Sequence, residues 1–227
     1  MNRPHKSAFP EMLEALASER LPHLGKLGRR ERRAAETRVR LFRSAMRLFA
    51  QRGFQNVTVE DITDAADVGK GTFFNYFESK DQVLGVMAEI QLGKVREVLE
   101  QAEAGKQSVR SILRNLFQRV AEEPGRSPEM TRALISTFLA SDQIRSTMAG
   151  NLAEGRRMVA KILELGQQRG EVAPVVKPEQ VARQCQQSVM GTLLVWSLRG
   201  DEKLETRLEE SFQHFWRAIT LNREAQR

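Results

Sequence analysis

Between Thr58 and Lys80 the chain reads TVEDITDAADVGKGTFFNYFESK, and this stretch leaves few folds open. Thr58 is placed to accept a hydrogen bond from the amide of Asp61, and Glu60 and Asp61 put negative charge on the positive end of a helix. A helix is therefore predicted over 59–66. Ile62, Ala65 and Ala66 give it a narrow face of mostly small apolar side chains, which lets a second helix cross closely at a steep angle. Asp67, Val68 and Gly69 make the turn, with Gly69 expected in a backbone conformation closed to most residues and Val68 plugging the gap between the helices. A second short helix follows over 70–76. Phe73 and Phe77, four apart, face the core and leave Phe74, Asn75 and Tyr76 partly outward. Ser79 then starts another helix, with Gln82 completing a capping-box pattern.

The second short helix has the chemistry of a groove reader. Lys70 seeks phosphate, Gly71 permits close approach to a sugar-phosphate strand, and Thr72 and Asn75 can donate to phosphates or base edges. Its amino end offers free amides to phosphate, and Lys80 stands exposed in the first turn of the next helix.

This run resembles the DNA-binding domain of the TetR family of bacterial transcriptional regulators. The matching features are Gly53-Phe54 after a basic amphipathic helix, Thr58-Val59 before Ile62, Gly71-Thr72-Phe73 in the second short helix, and Tyr76-Phe77 followed by Ser79-Lys80. About a quarter of the chain is covered. The family often has Gly where Asp67 stands, Ser where Gly69 stands and a phosphate-binding Tyr where Phe74 stands. The turn has thus moved its glycine, the second helix loses a side-chain cap, and Phe74 is left with van der Waals contact, for example to a thymine methyl. The resemblance implies DNA contact by Arg38, Thr58, Lys70, Gly71, Thr72, Phe74, Asn75, Tyr76 and Lys80.

Charge agrees with a nucleic-acid partner in its placement more than in its total. The chain of 227 residues carries +7. From Leu24 to Arg52 ten basic residues face two acidic ones, a net +8, which leaves the remainder at −1. The excess positive charge therefore sits just before the two short helices, as an electrostatic footprint for DNA would. Cys185 is the only cysteine, so an intrachain disulfide is impossible and a reducing compartment is the simple inference. No apolar run reaches the length of a bilayer span and the start lacks the apolar core of a secretory signal, so a cytoplasmic protein away from membranes is expected.

Residues 1–28 form an extension in which Phe9, Met12, Leu13 and Leu16 suggest a short amphipathic helix before a linker. A helix over 30–52 carries Leu41, Phe42, Ala45, Met46, Leu48 and Phe49 on one stripe and ends at Gly53. Beyond Lys80, Gly and Pro separate helical segments over 80–102, 108–123, 128–139, 142–166 or 170, 178–199 and 202–223, with no strand pattern. The expected fold is all-α: an extension over 1–28, a helix-turn-helix DNA-binding domain over 29–84, and a larger helical dimerisation and effector-binding domain over 85–227. Val181, Cys185, Val189 and Leu193 recur on one late stripe, and Leu208, Phe212, Phe215, Trp216 and Ile219 on the next, which makes the last two helices the expected homodimer interface.

No catalytic set is visible, and His5, His23 and His214 lack metal-ligand spacing, so neither enzyme activity nor a metal or other cofactor is expected. The resemblance implies a small-molecule effector in the later helices, where Met130, Leu134, Phe138, Met148, Met158, Ile162, Met190 and Trp196 supply adaptable apolar surface. The expected function is a transcriptional regulator on a pseudo-palindromic double-stranded operator, a repressor released by its effector. The alternatives are an activator or effector-free regulator of the same architecture, and a helical interaction protein that has lost DNA binding.

Overall fold

The structure, a computed structural model, describes residues 28–122, 125, 127–140, 142–200 and 202–220. The short helix expected within residues 1–28 lies outside them. The described residues form α-helices joined by turns and one short 3-10 turn, with no strand among them. The helices are α1 (Arg29–Arg52), α2 (Val59–Ala65), α3 (Lys70–Phe74), α4 (Lys80–Ala104), α5 (Val109–Arg119), α6 (Pro128–Ala140), α7 (Asp142–Gln168), α8 (Pro178–Arg199) and α9 (Leu204–Ile219). None of the described helices is long and apolar enough to cross a membrane.

The chain divides into two compact units. The first runs to Gly93 and takes in Ala133–Met148; the second holds Lys94–Arg132 and the chain from Ala149 onward. The expected boundary after Leu84 thus falls inside α4, within the first unit.

In the first unit the stripe on α1 is buried as its spacing predicts: Leu41, Phe42, Ala45, Met46, Leu48 and Phe49 all lie in the core. Gly53 ends the helix at φ 77°, its amide donating to the Phe49 carbonyl at 2.9 Å, and the chain turns through a 3-10 segment over Phe54–Asn56. The Phe54 ring then packs edge-on to Phe49 at 4.9 Å. Ser44 ties α1 to α2 through a 3.1 Å bond from its hydroxyl to the Ala65 carbonyl.

The second unit is organised around an aromatic cluster. Phe117 of α5 meets Phe212 of α9 at 5.3 Å and Phe215 at 5.7 Å, and Phe212 lies over Trp216. Around it are Val98, Ala102, Ile112, Leu113, Ile162, Leu163, Val181 and Cys185. Lys94 is buried here with its ammonium on the carboxyl end of α5, bonded to the Arg119 carbonyl at 2.5 Å and to Glu122 at 3.0 Å, where the helix dipole favours a cation. Burial pushes the Cys185 thiol up to about 12, which fits the packing role expected of it.

Candidate nucleic-acid interface

The α2 start is built as the sequence predicts. Thr58 Oγ accepts from the Asp61 amide at 3.1 Å while the Asp61 carboxylate accepts from the Thr58 amide at 2.8 Å, a reciprocal capping box. The same carboxylate takes the Thr58 hydroxyl proton at 2.6 Å and holds Arg52 at 3.0 Å. These bonds draw the Asp61 carboxyl below its usual value, the Thr58 hydrogen bond being the largest cause. Thr58, expected at the DNA surface, thus spends its hydroxyl on the helix start.

The turn departs from the expectation in one residue. Gly69 lies at φ −70° and ψ 150°, ordinary extended backbone, and it is Asp67 that takes the left-handed conformation at φ 53°. The hydrogen bonds explain why. The Val68 amide reaches back to the Thr63 carbonyl at 3.0 Å and the Asp67 amide to that of Asp64 at 3.1 Å, the two bonds that close a helix through a left-handed residue just past its end. Asp tolerates this conformation better than most residues, and the glycine the family often carries here would hold it without a Cβ penalty. The α3 amino end has no side-chain cap, as expected from Gly69.

Helix α3 is five residues long, shorter than the seven predicted, with Asn75 at its carboxyl cap. Phe73 and Phe77 are fully inside, their rings 5.4 Å apart, and they fix the helix on its inner side. On the outer side Lys70, Gly71, Phe74 and Asn75 are all exposed, and Thr72 and Tyr76 are half-buried beside them. Phe74 is 50% exposed although it is a large apolar ring, and it lies edge-on against Phe73 at 5.5 Å. Beyond its chain neighbours and its own helix backbone, Gly71 has no protein atom within 4 Å of where a Cβ would stand, so packing inside the chain does not require a glycine there.

Four predicted contacts have partners within the chain. Lys80 does not reach outward: its ammonium donates to the Phe54 and Val57 carbonyls at 2.9 and 3.0 Å and lies 4.4 Å over the Phe54 ring. It pins the start of α4 to the 3-10 turn, so its ammonium is directed to these carbonyls and not into solvent. Lys70 is paired with Glu60 of α2. Arg38 is half-buried with its guanidinium 5.4 Å over the Phe77 ring, a cation–π contact beneath α3. Tyr76 is hydrogen-bonded with Thr37 of α1, and burial raises its phenol above the ordinary value. The Gln82 amide oxygen, expected to close a box with Ser79, instead accepts from the Glu78 amide at 2.8 Å.

The remaining predicted sites are not gathered. Val181, Cys185, Leu208, Phe212 and Trp216 are buried in their own chain, Leu193 with them and Val189 partly so. Helix α9 turns one apolar face to the core, whereas α8 carries apolar residues on its buried side and on its exposed side as well. What α8 leaves outside is Met190, Leu194, Val195 and Leu198, an apolar stripe that sequence spacing alone does not separate from the buried one. Among the effector candidates, Leu134 and Phe138 fall in the first unit and Met158, Ile162 and Trp196 in the second, while the Met130 side chain lies outside the described residues. Ile162 is part of the aromatic core and Trp196 donates its indole proton to the Glu202 carbonyl at 2.9 Å. A cleft of about 370 Å³ in the first unit is lined by Arg38, Phe77, Gln82, Ile144 and Met148, among others.

Residues 41–87, which span the buried stripe of α1 through the start of α4, match the family described as bacterial regulatory proteins, tetR family. The regulator TcmR of Streptomyces glaucescens is 43% identical over 56 residues, a quarter of each protein. The repressor DhaR of Mycobacterium sp. (strain GP1) is 27% identical over 184 residues, 79% of this chain and 93% of that one. In structure the chain is similar to Thermus thermophilus FadR, described as a TetR-family transcriptional repressor in complex with lauroyl-CoA, with a TM-score of 0.58 and 27% identity over 82% of this chain and 96% of that one. Motif, architecture and relatives agree: residues 41–87 match the TetR family of bacterial regulatory proteins, and over most of its length the chain is similar to a TetR-family transcriptional repressor.

Proposed function

We propose that this protein is a cytoplasmic, homodimeric transcriptional regulator that binds a pseudo-palindromic DNA operator through α3 and is released from it by a small-molecule effector. The observation that carries the reading is the outer face of α3, where Lys70, Gly71, Phe74 and Asn75 are exposed and Gly71 answers to no internal packing need. Glycine in a helix costs about 0.5–1 kcal/mol relative to alanine, and the compensation for that cost is sought outside the chain, in a sugar-phosphate strand that must come close. Phe74 adds an apolar surface suited to a thymine methyl and Asn75 a donor and acceptor suited to adenine. The description of FadR with lauroyl-CoA and the naming of DhaR as a repressor support the effector-released mode.

Two-fold DNA needs two heads, and the exposed stripe Met190, Leu194, Val195 and Leu198 on α8 is the face we assign to the second copy. An effector can then act only through its differential affinity for two arrangements of the heads, a coupling of about 1–3 kcal/mol.

Gly71→Ala separates this reading from that of a helical interaction protein. The variant is expected to be more stable by about 0.5–1 kcal/mol, because the added methyl meets open space, and yet to bind duplex DNA at least tenfold more weakly. Denaturant unfolding and fluorescence anisotropy on one sample check both halves. Unchanged DNA affinity in the stabilised variant would remove close strand approach at Gly71 from the account.

A further inference from the structure

Glu60 and Asp61 both stand in the first turn of α2, but their carboxylates do different work. Asp61 closes the capping box and holds Arg52. Glu60 instead reaches Lys70, the first residue of the reading helix, and this ion pair is largely in solvent, with the two side chains 55% and 56% exposed. Exposed pairs contribute little to folding, and α2 and α3 are already held by buried Ile62, Ala66 and Phe73. The pair's larger consequence is on surface charge: it occupies the ammonium at the start of the face that meets DNA.

We propose that Glu60 is a specificity-determining residue, which holds the Lys70 ammonium away from phosphates until α3 is seated in a groove of the right sequence. The proposal rests on α3 being the reading helix. Phosphate contacts are blind to sequence, so a free ammonium at position 70 would strengthen binding to every duplex alike. A duplex held by phosphates alone uses the cations that are already free and leaves the Glu60–Lys70 pair closed. A duplex that also engages Asn75 and Phe74 at its base edges has the interaction needed to offset opening the pair, and only then does Lys70 transfer from carboxylate to phosphate. Consistent with a close charge partner, the Glu60 carboxyl is held below its usual value, its hydrogen bond from Lys70 being the first cause.

The test uses full-length protein, Glu60→Gln, Lys70→Gln and the double variant. Each is titrated over a range of salt against a mixed-sequence duplex and against a duplex recovered by selection from a random pool. Glu60→Gln is expected to bind the mixed duplex about three- to tenfold more tightly at low salt, with a log-log salt slope steeper by about 0.9, the value of one further phosphate contact. The selected duplex should gain less, so discrimination falls, and the gain should vanish in the double variant. Lys70→Gln should weaken the selected duplex and spare the mixed one, a result that does not depend on the Glu60 variant. The proposal is overturned if Glu60→Gln binds the mixed duplex no more tightly than wild type, if the gain survives loss of Lys70, or if Lys70→Gln weakens both duplexes equally. Wild-type protein that binds neither duplex would overturn the DNA-reading assignment itself, and is recognised from the wild-type titration alone.

Discussion

Phe212→Glu is expected to unfold the second unit, whereas Leu194→Glu is expected to leave it folded and separate the proposed dimer into monomers. Phe212 is 0% exposed and packed between Phe117 and Trp216, so its loss leaves a cavity in the aromatic cluster and the new carboxylate is placed among apolar rings away from solvent. Truncating a buried Phe costs about 3–5 kcal/mol before any charge is added, and an unpaired buried carboxylate adds several kcal/mol more. A domain whose whole stability is about 5–15 kcal/mol does not survive both. Leu194 is 43% exposed within one chain, and the neighbouring Leu198 is 68% exposed, so a charge at Leu194 is solvated in the monomer and is costly only where a second copy covers it. Circular dichroism and sedimentation velocity read the two outcomes. A folded, dimeric Leu194→Glu would move the interface off α8, and a folded Phe212→Glu would contradict the core described above.

Lys80→Met is expected to destabilise the reading head while leaving the salt dependence of DNA binding unchanged. Two hydrogen bonds from a charged donor to the Phe54 and Val57 carbonyls are lost, together with a cation–π contact. With bonds to charged groups at about 1.5–3 kcal/mol each and partial recovery by water at this half-buried site, the net loss is about 2–3 kcal/mol. Methionine keeps the length of the side chain over Phe54, so the effect reports the ammonium. Denaturant unfolding, read in the head by hydrogen exchange, checks the stability loss. The opposite pattern, an unchanged head and a salt slope shallower by about 0.9, would return Lys80 to the phosphates.

How far the sequence carries this account depends on whether a local rule or a three-dimensional contact decides each feature. Helix boundaries were legible because their causes are local: Thr58 and Asp61 start α2, Gly53 ends α1, and Pro178 and Gly200 bracket α8. The inward Phe73 and Phe77 followed from their spacing of four. The left-handed conformation of Asp67 is not legible in the sequence because a glycine two residues later offers itself for that position, and only the bonds from Asp67 and Val68 back into α2 show which residue ends the helix. Lys80 reads as a solvated cation in one dimension, since its carbonyl partners lie 23 and 26 residues away. The late helices show the same limit from the other side. Phe212 and Leu194 are both apolar residues on late helices, and what buries Phe212 while Leu194 stays 43% exposed is packing against residues such as Phe117, almost a hundred positions before Phe212.

The central claim, that the outer face of α3 reads bases, is tested most directly by selecting duplexes from a random pool with wild-type protein and, separately, with Asn75→Ala. Wild-type protein is expected to enrich an inverted repeat, two half-sites for two heads. The variant is expected to enrich the same repeat with preference lost or changed at one position in each half, since a bidentate base contact is worth about 1–3 kcal/mol of discrimination. Enrichment of one identical sequence by both proteins would contradict the assignment of base reading to Asn75, and the absence of any enriched duplex with wild-type protein would contradict the account as a whole.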